Sequence, residues 1–257
     1  MFYKVFSLKR VLSSIVIIAV FALSSGFAAQ MLSAAVNGTV RLLPIYCVKT
    51  DEKKVAITFD AAWGNSDTNE LIEILAQYDA KATFFIVGDW AERFPADVKA
   101  FFDAGHEISN HSNTHSAFSS LSVEGIKKEI ELCNEKLKEI TGETPKNIRF
   151  PSGDYDNKSI STAKDMGLYV IQWSADSLDY KGLSSEKITE RILNNTKEGA
   201  IILFHNDVKN TPAALRTILA SLKIQGYSFV TVDELIIKDN YRIDHMGRQI
   251  KNSPDNN

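Results

Sequence analysis

From residue 54 onward the chain repeats one pattern: a short apolar run, a polar turn, then a stretch with helical spacing. The runs cover residues 54–60, 82–87, 107–110, 147–150, 169–173, 200–204 and 228–230, lengths that suit buried strands. Helical patterns fall between them, over 69–77, 91–104, 123–141, 159–166, 186–195 and 212–225. Strands that alternate with helices pair in parallel and are covered on both faces, so they read as continuous apolar runs. Seven such units predict an α/β fold closed into a (β/α) barrel rather than a short open sheet. Punctuation supports the bounds. Ser122 can cap the 123–141 helix, Gly142 can end it, and Thr231 with Glu234 forms a capping-box pattern for a last short helix.

Outside this block the chain changes character. Lys4, Lys9 and Arg10 precede residues 11–29, which carry no charge. A basic start followed by such a run reads as an export signal or an uncleaved membrane anchor. The expectation is an exported monomer, secreted or held on the outer face of the cytoplasmic membrane through residues 1–29. Residues 30–50 read as a linker with one short strand near 39–43, residues 51–238 as the main domain, and residues 239–257 as a polar, mobile tail. A net charge of −3, with lysines and arginines scattered, sets up no field for nucleic acid, which is excluded as a partner. Cys47 and Cys133 lie far apart and form no metal-type pair.

In a parallel barrel every strand delivers its carboxyl end to one face, so polar residues directly after the apolar runs converge there. That filter selects Asp60, Asn110 with His111, Arg149, the stretch from Trp173 to Asp176, and His205. His111 and His115 are spaced i, i+4, which predicts two imidazoles on one side of a helical turn, able to hold a single metal ion. Nitrogen donors suit zinc, and also cobalt, nickel or iron. Asp60 is placed to take a proton from metal-bound water. Arg149 can grip such a carboxylate with two hydrogen bonds, while Pro151 and Gly153 shape the next loop beside a ligand. His205 becomes a proton donor to a leaving amine where Asp176 or Asp179 accepts a bond from its ring. Taken singly, these are also residues of surface pairs, turn caps and ordinary ion pairs; their shared placement argues for a site.

Taken in order, Thr58-Phe59-Asp60, His111-x-x-x-His115, Arg149-x-Pro151, Asp176-x-x-Asp179-Tyr180 and Leu203-x-His205 resemble the five motifs of polysaccharide deacetylases of the NodB-homology type, carbohydrate esterase family four. The export segment and the variant Asp60-Ala61-Ala62-Trp63-Gly64 further resemble the sporulation-associated PdaB branch, whose setting is a Gram-positive envelope. The resemblance implies a distorted (β/α) barrel of seven parallel strands and metal-dependent removal of N-acetyl groups from an envelope polysaccharide such as peptidoglycan. By the same resemblance Asp60 is the general base, His205 the general acid, and His111 and His115 ligands of a divalent ion, zinc above all. Arg149 then orients Asp60 and Asp176 tunes His205. Backbone N–H groups near Ser152, beside Pro151, hold the oxyanion, and Trp173 and Leu203 shape the acetyl pocket.

One departure matters. Where the family pattern has a second aspartate that binds the metal, this chain has Ala61. Asn65, Asp67 or Asp89 from a nearby loop, Asp60 itself, or water is left to complete the shell, while His106 reads as structural. Two other functions share these residues: a glycan-binding envelope protein in which catalysis has been lost, and an esterase acting on O-acetyl sugars.

Overall fold

A computed structural model describes residues 41–252. The proposed export segment, and residues 39–40 of the strand expected near 39–43, lie outside the described residues; Arg41 to Leu43 form no strand. The elements in chain order are β1 (Cys47–Val48), β2 (Lys54–Ala61), α1 (Thr68–Gln77), β3 (Ala82–Ile86), α2 (Gly88–Arg93), α3 (Pro95–Asp103), β4 (Glu107–Asn110) and α4 (Val123–Thr141). Then come β5 (Asn147–Ile148), α5 (Asn157–Asp165), β6 (Tyr169–Val170), β7 (Ala175–Asp176), α6 (Ser185–Asn195), β8 (Ile201–His205), α7 (Thr211–Ile224), β9 (Ser228–Phe229), α8 (Val232–Leu235), β10 (Tyr241–Ile243) and β11 (Arg248–Lys251). Caps fall where the sequence places them: Ser122 accepts from Gly125 N, Gly142 takes the left-handed conformation after α4, and Thr231 with Glu234 closes a capping box on α8. The helix expected over 91–104 is split, because Pro95 has no N–H to continue α2 and instead begins α3.

The main sheet is parallel throughout, with seven strands in the order β6-β5-β4-β3-β2-β8-β7 and β9 added beside the start of β2. It curls into a distorted (β/α) barrel. Period-two alternation sorts the side chains of β2. Val55, Ile57, Phe59 and Ala61 face outward into a cluster with Phe84, Phe101, Phe204 and the helices, whereas Ala56 joins Phe85 and Ile201 in a separate inner cluster. Phe59 stacks on Phe84 at 4.9 Å between ring centroids and on Phe204 at 5.6 Å. These ring contacts fix the three central strands against one another, and two of them, β2 and β8, carry Asp60 and His205 near their carboxyl ends.

The strand expected over 169–173 is bent. Its first residues pair with β5 and, a few residues on, Ala175–Asp176 pairs with β8, so one stretch of chain supplies both terminal strands of the sheet. The bend leaves a seam, which is filled by residues read above as linker. Ile45 bridges Ile171 and Cys47 bridges Ala200, with Ile45 N donating to Val170 O at 2.8 Å and Val48 N to Gly199 O at 2.9 Å. Ile45 and Val48 are buried in the inner cluster. The expected mobile tail is corrected over residues 241–251, residues 253–257 lying outside the described residues: β10 and β11 form an antiparallel hairpin, and β11 pairs in parallel with β1. Polar composition hid this hairpin, because its one buried polar side chain, Gln249, is satisfied by Ile237 N and Ile237 O rather than by water.

Candidate active site

Strand register puts the reactive groups together. Asp60 is the cross-strand partner of His205, and the carboxyl ends of β4 and β5 bring His111 and Arg149 to the same mouth. Asp60, Trp63, His111, His115, Ser152, Trp173, Asp176, Tyr180, Leu203 and His205 line a cavity of about 310 Å³. Arg149 is fully buried behind this wall and Pro151 is buried without lining it.

The Asp60 carboxylate is held from one side by Arg149, whose Nη1 donates to Oδ1 at 2.7 Å while Nη2 donates to Gln172 O at 3.2 Å. The grip is therefore one hydrogen bond to the carboxylate rather than two. The guanidinium also lies over Phe85, 4.1 Å from the ring centroid, so the inner cluster supports it from below. Burial alone pushes Asp60 up, but the Arg149 charge outweighs it, with help from His111 and His205, and the carboxyl stays below its ordinary range. A carboxylate that is ionised and has one oxygen free of Arg149 is the result.

His111 and His115 do not sit on a helical turn. The segment is irregular, with Ser112 at φ 68° and His115 at φ 62°. The helical geometry loses because the backbone donors find better partners: Ser112 N donates to Asn110 Oδ1, His115 N to Ser112 Oγ, and Asn113 N and Thr114 N both donate to Glu129 Oε2 from α4. The two rings nevertheless meet, 5.1 Å apart at 69°. His111 Nδ1 is 2.8 Å from Arg149 O, which fixes the proton on that nitrogen and leaves Nε2, 3.5 Å from Asp60 Oδ2, as a lone-pair donor. Burial pushes His111 down to about 4, against the pull of Asp60, and His115 is lowered mainly by burial too. Both are neutral imidazoles, the form that ligates metal.

The third ligand is not found among the loop candidates. Asn65 donates to Asp97, Asp67 accepts from Asp207 N, and Asp89 pairs with Lys136; none lines the cavity. Ala61 is fully buried on the outward face of β2, away from Asp60. Among the described residues no group of three or more His, Cys, Asp or Glu is arranged to hold a metal ion. The chain thus offers two nitrogen donors and the free oxygen of Asp60, one carboxylate short of a set that leaves the base unencumbered.

His205 is held by Asp179, and the nearby charge of Asp176 adds to the same pull. Its Nδ1 lies 2.8 Å from Asp179 Oδ1, and Asp179 Oδ2 accepts from His205 N at 2.9 Å and from Thr211 Oγ1 at 2.8 Å. Asp176, the partner expected from the motif, turns its Oδ1 to Leu178 N and remains at the cavity wall. Burial lowers His205, yet the Asp179 hydrogen bond and the charge of Asp60 outweigh it, and the pKa ends above the ordinary value. Two titratable groups on neighbouring strands are pushed apart, one toward a base and one toward an acid. Asp179→Asn is expected to lower the His205 pKa, because the ring loses the carboxylate hydrogen-bonded to it. An NMR titration of the ring carbons reads this without turnover, and an unchanged pKa would show that Asp179 only holds the backbone.

A second titration concerns the fold. Burial pushes His106, like His111, down to about 4. Each is below its unfolded value, so its contribution is complete above about pH 6.5 and is lost as pH falls toward 4, at about 1.4 kcal/mol per pH unit and histidine. Asp67, raised to about 6 chiefly by burial, works the other way, one group against His106, His111 and the likewise lowered His115. Denaturant unfolding of chelator-treated protein is expected to show stability falling across that window, with a shallower fall in His106→Gln. Equal slopes would place the acid sensitivity elsewhere.

Trp63 and Tyr180 are the cavity residues given no separate role above; the signal for Trp63 was an aromatic within the variant motif after Asp60. Comparison with known proteins agrees with this arrangement. A profile of the polysaccharide deacetylase family matches residues 48–171. A peptidoglycan-N-acetylglucosamine deacetylase of Bacillus cereus is 39% identical over 194 residues, 74% of this chain and 91% of that protein. The peptidoglycan-N-acetylglucosamine deacetylase PgdA of Listeria monocytogenes is 36% identical over 183 residues, 71% of this chain but only 39% of that longer protein. Among solved structures, a mutant of BA3943 from Bacillus anthracis, a CE4 family pseudoenzyme with restored enzymatic activity, superposes with a TM-score of 0.73 at 33% identity, covering 76% of this chain and 71% of that one. Motif order, barrel and relatives agree, and the chain belongs to the polysaccharide deacetylase family.

Proposed function

We propose that this chain removes N-acetyl groups from an envelope polysaccharide of the peptidoglycan type, and that it does so outside the cytoplasm. The observation that carries the reading is the pair on neighbouring strands: Asp60 hydrogen-bonded to Arg149, which favours the carboxylate, and His205 hydrogen-bonded to Asp179, which favours the imidazolium. Asp60 takes a proton from water as the water oxygen attacks the acetamide carbonyl carbon. His205 then gives its proton to the amide nitrogen as the C–N bond breaks, releasing acetate and leaving a free amine on the sugar. Ser152 lines the cavity, and its backbone N–H would meet the carbonyl oxygen as that atom gains charge. A divalent ion such as zinc, held by His111 and His115, would supply polarisation of the water and the carbonyl when bound. The uncharged run over 11–29 supports export and attachment to the membrane, and the PdaB-like motif supports a role in sporulation.

Ala61 and the shortage of carboxylates favour a second reading, a family member that holds glycan without cleaving it, and a pseudoenzyme of the same fold gives that reading a precedent. One experiment separates them. Protein loaded with zinc or cobalt is assayed for acetate release from N-acetylglucosamine and N-acetylmuramic acid oligomers and from O-acetylated xylan, with metal content measured on the same sample. Bound metal and release from the amino sugars support the deacetylase. Oligomer binding without metal or acetate supports the second reading, and release from xylan alone moves the assignment to an esterase.

A further inference from the structure

Trp63 stands out among the large apolar side chains. It is 54% exposed, and with Tyr180 it is one of two exposed aromatics at the cavity mouth. Its ring centroid lies 6.0 Å from that of His115 and 5.9 Å from that of His205, so the indole spans the two sides of the reaction centre. Among the described residues the indole N–H has no acceptor, whereas the buried Trp90 donates to Gly64 O at 2.9 Å.

The backbone that carries Trp63 is fixed. Gly64 O also accepts from Asn206 Nδ2 at 2.6 Å, and Ser66 donates through both N and Oγ to Asp207 Oδ1. Gly64 has no room for a side chain, since a Cβ there would lie 1.9 Å from Asp207 Oδ2. A half-exposed indole on a flexible loop is ordinary; one presented by a loop pinned to the strand-end loop of β8 is pre-organised, and holding it so brings no burial in return.

Given the glycan reading above, on which this rests, we propose that Trp63 is a substrate-positioning platform: the pyranose ring of the sugar lies against its open face while the acetamide enters between Asp60 and His205. The axial C–H groups of a pyranose form an apolar face that an indole covers well, and the free N–H is available to a ring hydroxyl. Such a platform orients the sugar and takes no part in proton transfer.

The test is calorimetric titration of the N-acetylglucosamine tetramer into the full protein and into Trp63→Ala and Trp63→Phe, with thermal unfolding of each. Wild-type binding, a loss of tenfold or more in Trp63→Ala, recovery to within about threefold in Trp63→Phe and matched unfolding midpoints are expected, because stacking needs a ring rather than an indole in particular. Wild-type binding with both variants within twofold would overturn the platform and leave the glycan reading standing. Absence of wild-type binding to the tetramer and to muramic-acid oligomers would overturn both. Where turnover is measurable, the loss belongs in KM more than in kcat; a fall confined to kcat would also count against the proposal.

Discussion

Asp60→Asn is expected to end acetate release, with a loss of at least about 10²-fold, the usual worth of a positioned general base. The same change should cost stability. Arg149 is fully buried and its charge is met by Asp60 alone among side chains within hydrogen-bond distance, so removing the carboxylate charge strands a guanidinium in the barrel. Breaking a buried pair from one side typically costs about 3–5 kcal/mol. The double variant Asp60→Asn with Arg149→Met is therefore expected to be more stable than Asp60→Asn alone and equally inactive. Denaturant midpoints and acetate assays on the set of variants read both quantities. Turnover within tenfold of wild type in Asp60→Asn would mean that the base lies elsewhere.

The second large effect concerns where the folded unit begins. A fragment starting at residue 51 omits Ile45 and Val48, whose burial is worth about 1.5–3 kcal/mol each. It also frees the backbone groups of Val170, Gln172 and Gly199 that they satisfy. Such a fragment is expected to aggregate or to melt without a cooperative transition, whereas one starting at residue 42 melts cooperatively. Ile45→Asp within the longer fragment tests the seam by a single change and should lower stability by more than about 3 kcal/mol. A fragment from residue 51 that melts within a few degrees of the longer one would show that the barrel closes unaided. The family profile begins at residue 48, so a boundary drawn from it cuts through this seam.

Much of the barrel was legible because its determinants are local. Apolar runs such as 200–204, and the Ser122 and Gly142 ends of α4, state their own conformation. Strand-end placement then gathered Asp60, His111, Arg149 and His205 without knowledge of any contact. What escaped was settled at long range. Whether Asp176 or Asp179 faces His205 depends on a turn in which Leu178 is left-handed, a choice made by packing against β8 and Thr211. The seam strand and the β10–β11 hairpin pair residues about 200 positions apart, beyond the reach of any local pattern. Position 61 was read by family analogy as a missing ligand; the alternation of β2 adds that its side chain faces the helices.

The irregular path between His111 and His115 has a consequence for anyone wishing to transplant the pair. Copying His-x-x-x-His onto a helix of another scaffold would reproduce the letters and lose the object, because here the distance between rings is set by two left-handed residues and by a carboxylate reaching in from a helix fifteen residues downstream. A faithful graft carries Asn110, Ser112 and Glu129 along with the imidazoles.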